Sequence, residues 1–301
     1  VTANAIMGLL PKVIRVTGGA IDLEGRSIMG LPAGELRSLR GRVVSMIFQD
    51  PLSALNPLMT VGDQITEVMA AHGIGTSESR RSRAMEMLAE VGLPDPPLMY
   101  LQYPFRLSGG QRQRVMIAMA LVLEPTILIA DEPTTALDVT TQAQILKLIR
   151  DIQRRKGMSV MFITHDFGVV AEIADSVVVM EKGHIVEQGS SDQVLKSPTH
   201  PYTKRLIAAV PRLAGADRTH TKAADKEPIL KVEGLVKTYR SGSAMFRTQR
   251  IVPAVNDVSF SLMPGRTLGI VGESGSGKSS LGRLLIKLMD SDAGRIEFDG
   301  L

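Results

Sequence analysis

The chain has 301 residues, of which 44% are hydrophobic and 22% are charged, and its formal net charge is only +4. This composition is typical of a globular protein and excludes a disordered, collagen-like or coiled-coil chain. The sequence contains no cysteine, which excludes disulfide bonds, thiolate metal sites and cysteine nucleophiles. Since only 4% of the residues are aromatic and none is tryptophan, a surface that stacks nucleic-acid bases is disfavoured.

The beginning of the chain resembles a segment near its end. Residues 19–25, GAIDLEG, correspond to residues 294–300, GRIEFDG, and a helix-like apolar pattern precedes each of them. Such self-similarity predicts an internal repeat. If the two helix-like patterns align, Val1 pairs with Ser280, and we expect the chain to begin in the middle of a larger unit.

Three short apolar runs predict strands that are buried on both faces of a parallel sheet. Each run is followed by residues with chemically active side chains: 43–48 by Gln49, 127–130 by Asp131 and Glu132, and 160–163 by Thr164 and His165. These positions matter because α/β sheets bind their ligands at the carboxyl ends of the strands.

The chemistry of these side chains indicates a phosphate-cleaving site. We expect Asp131 to hold Mg²⁺ and Glu132 to act as general base on an attacking water. Gln49 cannot be a base, but its amide can position water or contact Mg²⁺. For His165 the sequence leaves a catalytic and a purely structural role open.

An anion site is predicted before the helix over residues 112–123, in addition to the phosphate-binding loop near the end of the chain. The preceding segment contains Ser108, Gly109, Gly110 and Gln111, whose backbone donors lie at the start of that helix. The alternative interpretation is a simple N-cap by Ser108, which is compatible with anion binding.

The last part of the chain contains a phosphate-binding loop. Residues 212–228 are polar and aperiodic, which predicts a linker, and strands are expected at 229–232, 254–262 and 268–271. The loop that follows has the spacing Gly-x-x-x-x-Gly-Lys-Ser and consists of Gly272, Glu273, Ser274, Gly275, Ser276, Gly277, Lys278 and Ser279. Leucines at 281, 284, 285 and 288 predict a helix after it, with Lys278 on the phosphates and Ser279 on Mg²⁺.

Together these motifs resemble the ATP-binding cassette (ABC) ATPases of transporters. The loop at 272–279 resembles their Walker A motif, and residues 127–132 resemble their Walker B motif. The other positions that match family motifs are Gln49 (Q-loop), Ser108 to Gln111 (signature), Asp138 (D-loop), His165 (switch histidine) and Tyr239 (adenine-stacking aromatic). Ser280 extends the nucleotide-binding set. The resemblance implies an α/β P-loop NTPase core with a mostly parallel sheet, an antiparallel β subdomain and a helical signature subdomain.

A narrower resemblance is to the dipeptide and oligopeptide importer ATPases. It rests on FQDPLSALNP at 48–57, LSGGQRQRVMIAMAL at 107–121 and SPTHPYT at 197–203. Many single-cassette members carry a cysteine-rich segment after the last motif. This chain has a linker there instead, which resembles the fused form with two cassettes in one polypeptide.

The order of the motifs implies parts of two cassettes. In this family Walker A comes first, whereas here it comes last. We therefore expect residues 1–211 to be a first cassette without its Walker A, with a helical subdomain at about 50–125, followed by the linker 212–228 and the beginning of a second cassette at 229–301. An alternative is that the second copy's loop docks into the first copy within one chain.

The resemblance also implies function and partners. It implies Mg²⁺-dependent ATP hydrolysis that powers import of peptides or peptide-like solutes, with membrane permease subunits, a separate solute-binding protein and a second cassette as partners. It places the protein at the cytoplasmic face of the inner membrane and implies no nucleic acid. Two alternatives remain: an ABC ATPase that acts on nucleic acid or ribosomes, and an inactive fragment of an importer ATPase.

Overall fold

The computed structural model describes residues 1–135, 137–210, 227–241, 250–273 and 275–300. Their contacts divide the chain into a first unit, Val1–Pro211, and a second unit, Arg212–Leu301. The predicted linker at 212–228 lies outside the described residues except for Glu227 and Pro228. Among the described helices, none combines the length and the apolar character that crossing a membrane requires.

A parallel sheet lies at the centre of the first unit. The strands of this unit are β1 (Asp22–Leu23), β2 (Arg26–Ser27), β3 (Val44–Ile47), β4 (Ile127–Asp131), β5 (Ser159–Ile163), β6 (Ser176–Glu181) and β7 (His184–Ser190). Strands β3, β4 and β5 pair in parallel with β4 in the middle, while β1 with β2 and β6 with β7 form antiparallel pairs. The three predicted strands are confirmed, and their carboxyl ends share one edge. Burial on both faces holds for β3 and β4, whereas β5, which among the described strands pairs on one side only, is half-buried.

Helices surround this sheet and fill the long connection between β3 and β4. They are α1 (Thr2–Ile6), α2 (Ala33–Leu39), α3 (Pro51–Ala54), α4 (Val61–Ala71), α5 (Ser77–Glu90), α6 (Pro96–Tyr100), α7 (Gly109–Leu121), α8 (Val139–Lys156), α9 (Phe167–Ile173), α10 (Ser191–Lys196) and α11 (Pro201–Ala209). Hydroxyl caps start α4 and α5, since Thr60 and Thr76 each accept a hydrogen bond from the third helical N–H. Helices α4, α5 and α7 bury aliphatic side chains in one large cluster, which includes Ile65, Leu88 and Ile117.

The second unit is an antiparallel sheet packed against one helix. Strands β8 (Leu230–Ser241), β9 (Arg250–Leu262) and β10 (Ala293–Phe298) pair in the order β10–β8–β9. Helix α12 (Lys278–Leu285) follows the phosphate loop, and its Leu281 and Leu284 join the core of this sheet. This mixture of parallel and antiparallel sheets with helices confirms the predicted α/β fold class.

Two details predicted for the second unit are wrong. Residues 268–271 form no strand, and Leu268, Ile270 and Val271 are 42%, 46% and 92% exposed. A strand buried on both faces requires neighbouring strands, and no described strand pairs with this run. Leu288 lies beyond the end of α12 and is 73% exposed, so it does not extend the buried helix face.

Helices α1 and α12 end in the same way. In the register that pairs Val1 with Ser280, both helices end at equivalent residues and are followed by a residue in the left-handed region, Gly8 (φ 62°) and Lys287 (φ 56°). The next N–H then bonds back to the carbonyl five residues earlier: Leu9 to Asn4 at 2.7 Å and Leu288 to Arg283 at 2.9 Å. This pattern is the Schellman type of helix ending.

The repeated glycine segments also share their backbone conformation. Positive φ angles occur at the same three positions of each copy: 89°, 51° and 76° at Gly19, Glu24 and Gly25, and 94°, 49° and 78° at Gly294, Asp299 and Gly300. The last two residues of each set have the angles of a tight turn after a strand. The internal repeat is therefore a repeat of structure as well as of sequence.

Candidate functional site

Three predicted site residues meet at the carboxyl edge of the parallel sheet. Gln49 follows β3, Glu132 follows β4 and His165 follows β5. The amide Nε2 of Gln49 donates to Oε2 of Glu132 at 2.7 Å, and Nδ1 of His165 lies 3.2 Å from Oε1 of Glu132. The meeting follows from topology, because the ends of three adjacent parallel strands lie side by side.

Glu132 is held as a carboxylate at the centre of this group. Its pKa lies below the ordinary value, first because of the hydrogen bond with His165 and then because of hydrogen bonds from Thr135 and Gln49. The backbone of Glu132 is left-handed, with φ 47°, and its N–H bonds to the carbonyl of Ile163 in β5 at 2.9 Å. An L-residue is strained in this region, so the surrounding contacts must maintain it.

Asp131 is the last residue of β4, and its backbone pairs with Ile163. It is half-buried and directly precedes Glu132. The oxygen atoms that Asp131 and Gln49 supply at this edge are of the kind that Mg²⁺ prefers. Among the described residues no cluster of three His, Asp or Glu side chains could hold a metal ion, so Asp131 and Gln49 would hold Mg²⁺ only together with oxygen atoms from a nucleotide's phosphates.

The segment predicted to be the signature begins α7 with a capping box. Ser108 Oγ accepts from the N–H of Gln111 at 3.2 Å, and Oε1 of Gln111 accepts from the N–H of Ser108 at 2.9 Å. The predicted N-cap by Ser108 is thus confirmed. The side chain and the N–H of Gln111 are used in the cap. An anion at the helix start could still bond with the N–H groups of Gly109 and Gly110 and with the Ser108 hydroxyl.

Asp138, the predicted D-loop residue, is the N-cap of α8. Its carboxylate accepts from the N–H of Thr141 at 3.0 Å and from the Thr141 hydroxyl at 2.9 Å, which lowers the pKa of Asp138. Thr141 also packs against the signature: a Cβ added at Gly110 would lie 2.6 Å from its methyl carbon. Sequence analysis missed Thr141, whose position three residues after Asp138 is the spacing of a helix cap.

The phosphate loop of the second unit wraps around its own lysine. Lys278 Nζ donates to the carbonyl oxygens of Gly272 and Glu273, both at 2.7 Å, and to Ser276 Oγ at 3.2 Å. Gly275 and Gly277 have φ angles of 84° and 94°, and a Cβ at Gly277 would lie 2.0 Å from a backbone oxygen. Only glycine fits at position 277 without a backbone shift. The ammonium group of Lys278, surrounded by this loop, suits a phosphate ligand.

The remaining nucleotide-binding candidates lie on α12 and β8. Ser279 is exposed in the first turn of α12. The hydroxyl of Tyr239 on β8 lies 3.2 Å from Ser280 Oγ, so the aromatic predicted to contact adenine lies beside the first turn of this helix. Ser274, also predicted to bind nucleotide, lies outside the described residues.

Glu187 anchors the SPTHPYT segment to β7, a contact that no sequence pattern indicated. Its carboxylate accepts from the N–H and the hydroxyl of Thr199 at 2.7 and 2.9 Å and from the N–H of His200 at 3.2 Å. The hydrogen bond from the Thr199 N–H is the largest of the contacts that lower the pKa of Glu187 to about 2. His200 in turn caps α11 by accepting from the N–H of Tyr202 at 3.2 Å.

Comparison with known families identifies this arrangement. The model of the family described as "ABC transporter" matches residues 1–135 and 255–301. The chain belongs to the ABC transporter family. A second model, "Oligopeptide/dipeptide transporter, C-terminal region", matches residues 186–235, which include the anchored SPTHPYT segment of this ABC chain. The resemblance to the oligopeptide branch of the family is therefore confirmed.

Curated relatives of this ABC chain are considerably longer. The glutathione import ATP-binding protein GsiA of Salmonella typhimurium is 47% identical over 330 aligned residues, which cover 100% of this chain and 53% of the relative. GsiA of Escherichia coli K12 is 45% identical over 329 aligned residues with the same coverage. The chain thus spans about half the length of the curated relatives it matches.

Solved structures show the same fold. A dimeric post-hydrolysis state of an ATP-binding cassette bound to ADP and Pi is 28% identical, with a TM-score of 0.54 over 63% of this chain and 80% of that one. The structure of cbiO1 from Clostridium perfringens, part of the ABC transporter complex cbiONQ, is 27% identical, with a TM-score of 0.56 over 70% of this chain and 79% of that one.

Proposed function

We propose that this chain is part of an ATP-hydrolysing subunit that powers import of peptides or peptide-like solutes. The observation that carries the proposal is the meeting of Gln49, Glu132 and His165 at the ends of three adjacent parallel strands. The match to the oligopeptide/dipeptide transporter model supports a peptide-like solute. So do the relatives named for import of glutathione, itself a small peptide.

The two units are proposed to belong to successive cassettes of one polypeptide. In this proposal residues 1–211 are a first cassette without its Walker A, 212–228 are a linker, and 229–301 begin a second cassette. The matching ends of α1 and α12 support this division, because they place Val1 in register with Ser280, directly after the Walker A motif. The length of the relatives is consistent with it.

The chemistry proposed for the first unit is hydrolysis by an oriented water. Glu132, kept ionised by its hydrogen-bond donors, accepts the proton of the attacking water, and Gln49 and His165 orient the groups around it. Mg²⁺ held by Asp131 and Gln49 would supply charge neutralisation at the phosphates. Since phosphoryl transfer needs mainly positioning and electrostatic stabilisation, this small polar group is sufficient on the protein side.

The second unit is proposed to bind the nucleotide. Lys278 would exchange its present carbonyl partners for phosphate oxygens, Ser279 would ligate Mg²⁺, and Tyr239 would stack on adenine. In an assembly of two cassettes, the signature of one, Ser108 to Gln111, would face the nucleotide held by the other. Nucleotide-driven association of cassettes would then power transport.

The partners proposed are integral membrane permease subunits, a separate solute-binding protein and a second cassette, at the cytoplasmic face of the inner membrane. Exposed apolar side chains in the predicted partner-facing segment 50–105 support a docking surface there: Leu52 is 58% exposed, Leu58 86% and Phe105 63%. Nucleic acid is not among the proposed partners.

Steady-state hydrolysis of Mg-ATP by this chain tests the proposed function. We expect Glu132→Gln and Lys278→Ala each to lower the rate by about 100-fold or more, because each removes a group from the reaction. The matched controls are Glu67→Gln, an exposed carboxylate on α4, and Arg283→Ala, an exposed cation on α12, which should leave the rate unchanged.

Two results would contradict the proposal. Hydrolysis that survives Glu132→Gln would exclude that residue as the base, and nucleotide binding that survives Lys278→Ala would exclude the loop as the phosphate site. A chain that binds nucleotide through Lys278 but hydrolyses none would show that this chain by itself builds no working site.

A further inference from the structure

Thr135 contacts the central carboxylate from its own turn of the chain. Its Oγ1 lies 3.0 Å from Oε2 of Glu132 and 3.3 Å from the Glu132 carbonyl oxygen. A threonine hydroxyl has a single hydrogen to donate, and a bond to a carboxylate is stronger than one to a neutral carbonyl. The shorter distance and the charge both favour Oε2 as the acceptor.

The two oxygens of Glu132 are therefore held differently. Oε2 receives the hydroxyl of Thr135 and the amide of Gln49, whereas Oε1 faces the ring of His165. Gln49 and His165 come from other strand ends and are both exposed, with the His165 side chain 71% exposed. Thr135, in contrast, is only three residues from Glu132 and belongs to the same turn.

We propose that Thr135 is the positioning residue of Glu132: its hydroxyl fixes Oε2 so that Oε1 remains the oxygen that receives the proton of water. This inference rests on the proposed function, in which Glu132 is the base. The left-handed backbone of Glu132 gives the arrangement its geometry, because it folds residues 132–135 back so that the hydroxyl reaches the carboxylate. Thr135 also donates its own N–H to the Glu132 carbonyl at 3.4 Å, which closes this turn.

The experiment compares Thr135→Val, which keeps the branched shape and loses the hydroxyl, with Thr135→Ser, which keeps the hydroxyl. Thr140→Val, at an exposed hydroxyl in the first turn of α8, is the matched control. The carboxylate carbon resonance of Glu132 is recorded in the full chain at pH 7 by carbon NMR of labelled glutamate side chains. The resonance is assigned by its disappearance in Glu132→Gln.

We expect Thr135→Val to shift the carboxylate resonance of Glu132, because a donor to Oε2 is lost, and Thr135→Ser to leave it in place. In Mg-ATP hydrolysis at pH 7, Thr135→Val should lower kcat about tenfold with KM unchanged.

An unchanged Glu132 carboxylate resonance in Thr135→Val, or a Thr135→Ser variant that behaves like Thr135→Val, would overturn the inference. The two proposals fail separately. If the unmodified chain hydrolyses no ATP, the proposed activity fails for this chain, while the Glu132 resonance still decides the role of Thr135. Circular dichroism identifies a Thr135→Val variant that does not fold, and Thr135→Ala, which also lacks the hydroxyl, then carries the test.

Discussion

The two copies of the internal repeat, residues 1–25 and 280–300, share their helix endings and turns but differ greatly in the burial of equivalent side chains. Met7, after α1, is 6% exposed, whereas Ile286, in the equivalent position after α12, is 67% exposed. Leu23 is 8% exposed, whereas its counterpart Phe298 is 60% exposed. The sequences are similarly apolar in both copies, so the difference does not come from the residues themselves.

The difference comes from what lies next to each copy. In the first unit Met7 and Leu23 pack in one cluster with Val44 and Met46 of β3 and Ile129 of β4. In the second unit the described residues form no parallel sheet, and the equivalent apolar side chains face solvent. Local conformation is therefore encoded within the repeat, while burial depends on strands that lie elsewhere in the chain.

The largest expected effect contrasts Met7→Ala with Ile286→Ala. Truncation of a buried methionine costs about 2–5 kcal/mol of unfolding free energy, whereas an exposed position changes it by about 0.5 kcal/mol or less. Urea denaturation followed by circular dichroism gives the total effect, and hydrogen exchange of peptides from each unit assigns it. Leu23→Ala and Phe298→Ala form a second matched pair, and equal costs within either pair would contradict the contrast.

An intermediate effect is expected at the left-handed residue after each helix. Lys287→Gly should stabilise the second unit by about 1 kcal/mol, because glycine adopts a positive φ without the strain of a side chain. The converse change, Gly8→Ala, should destabilise the first unit by about 1–2 kcal/mol, since its Cβ would also lie 3.1 Å from Arg40. Thermal unfolding measures both, and a destabilising Lys287→Gly would argue against the shared helix ending.

The smallest expected effect comes from exchanging the residue at one helix position. Ala3 of α1 is 1% exposed and corresponds to Gly282 of α12, where an added Cβ meets no atom within 4 Å. Gly282→Ala should therefore stabilise the second unit by about 0.5–1 kcal/mol through helix propensity. Ala3→Gly should cost at least as much. A loss of stability in Gly282→Ala would reveal a neighbour that covers this face of α12.

Much of the candidate site was predictable because its residues follow strongly apolar runs. Gln49, Glu132 and His165 could be placed at strand ends from the sequence, and parallel pairing of β3, β4 and β5 brings them together. The role of Thr135 was not predicted, because its contact with Glu132 depends on the left-handed backbone of Glu132. The amino-acid sequence around Glu132 does not predict that conformation.

The run at 268–271 shows where local pattern is insufficient. Its apolar residues have the composition of a buried strand, yet a parallel strand is stabilised by its neighbours, and none is present among the described residues. Glu187 illustrates the same limit for polar contacts. Its partners Thr199 and His200 come from a different segment, and only the folding of that segment onto β7 brings them within reach.

The sequence by itself determined the motifs that predict the family and the candidate phosphate loop, and it set the helix endings and the tight turns, because these features depend on residues close together in the chain. The tertiary structure decided which apolar side chains are buried and which donors hold Glu132 and Glu187. The physical reason is the range of the interactions: backbone conformation responds to neighbours within a few residues, whereas burial and carboxylate hydrogen bonds require segments that only the fold brings into contact.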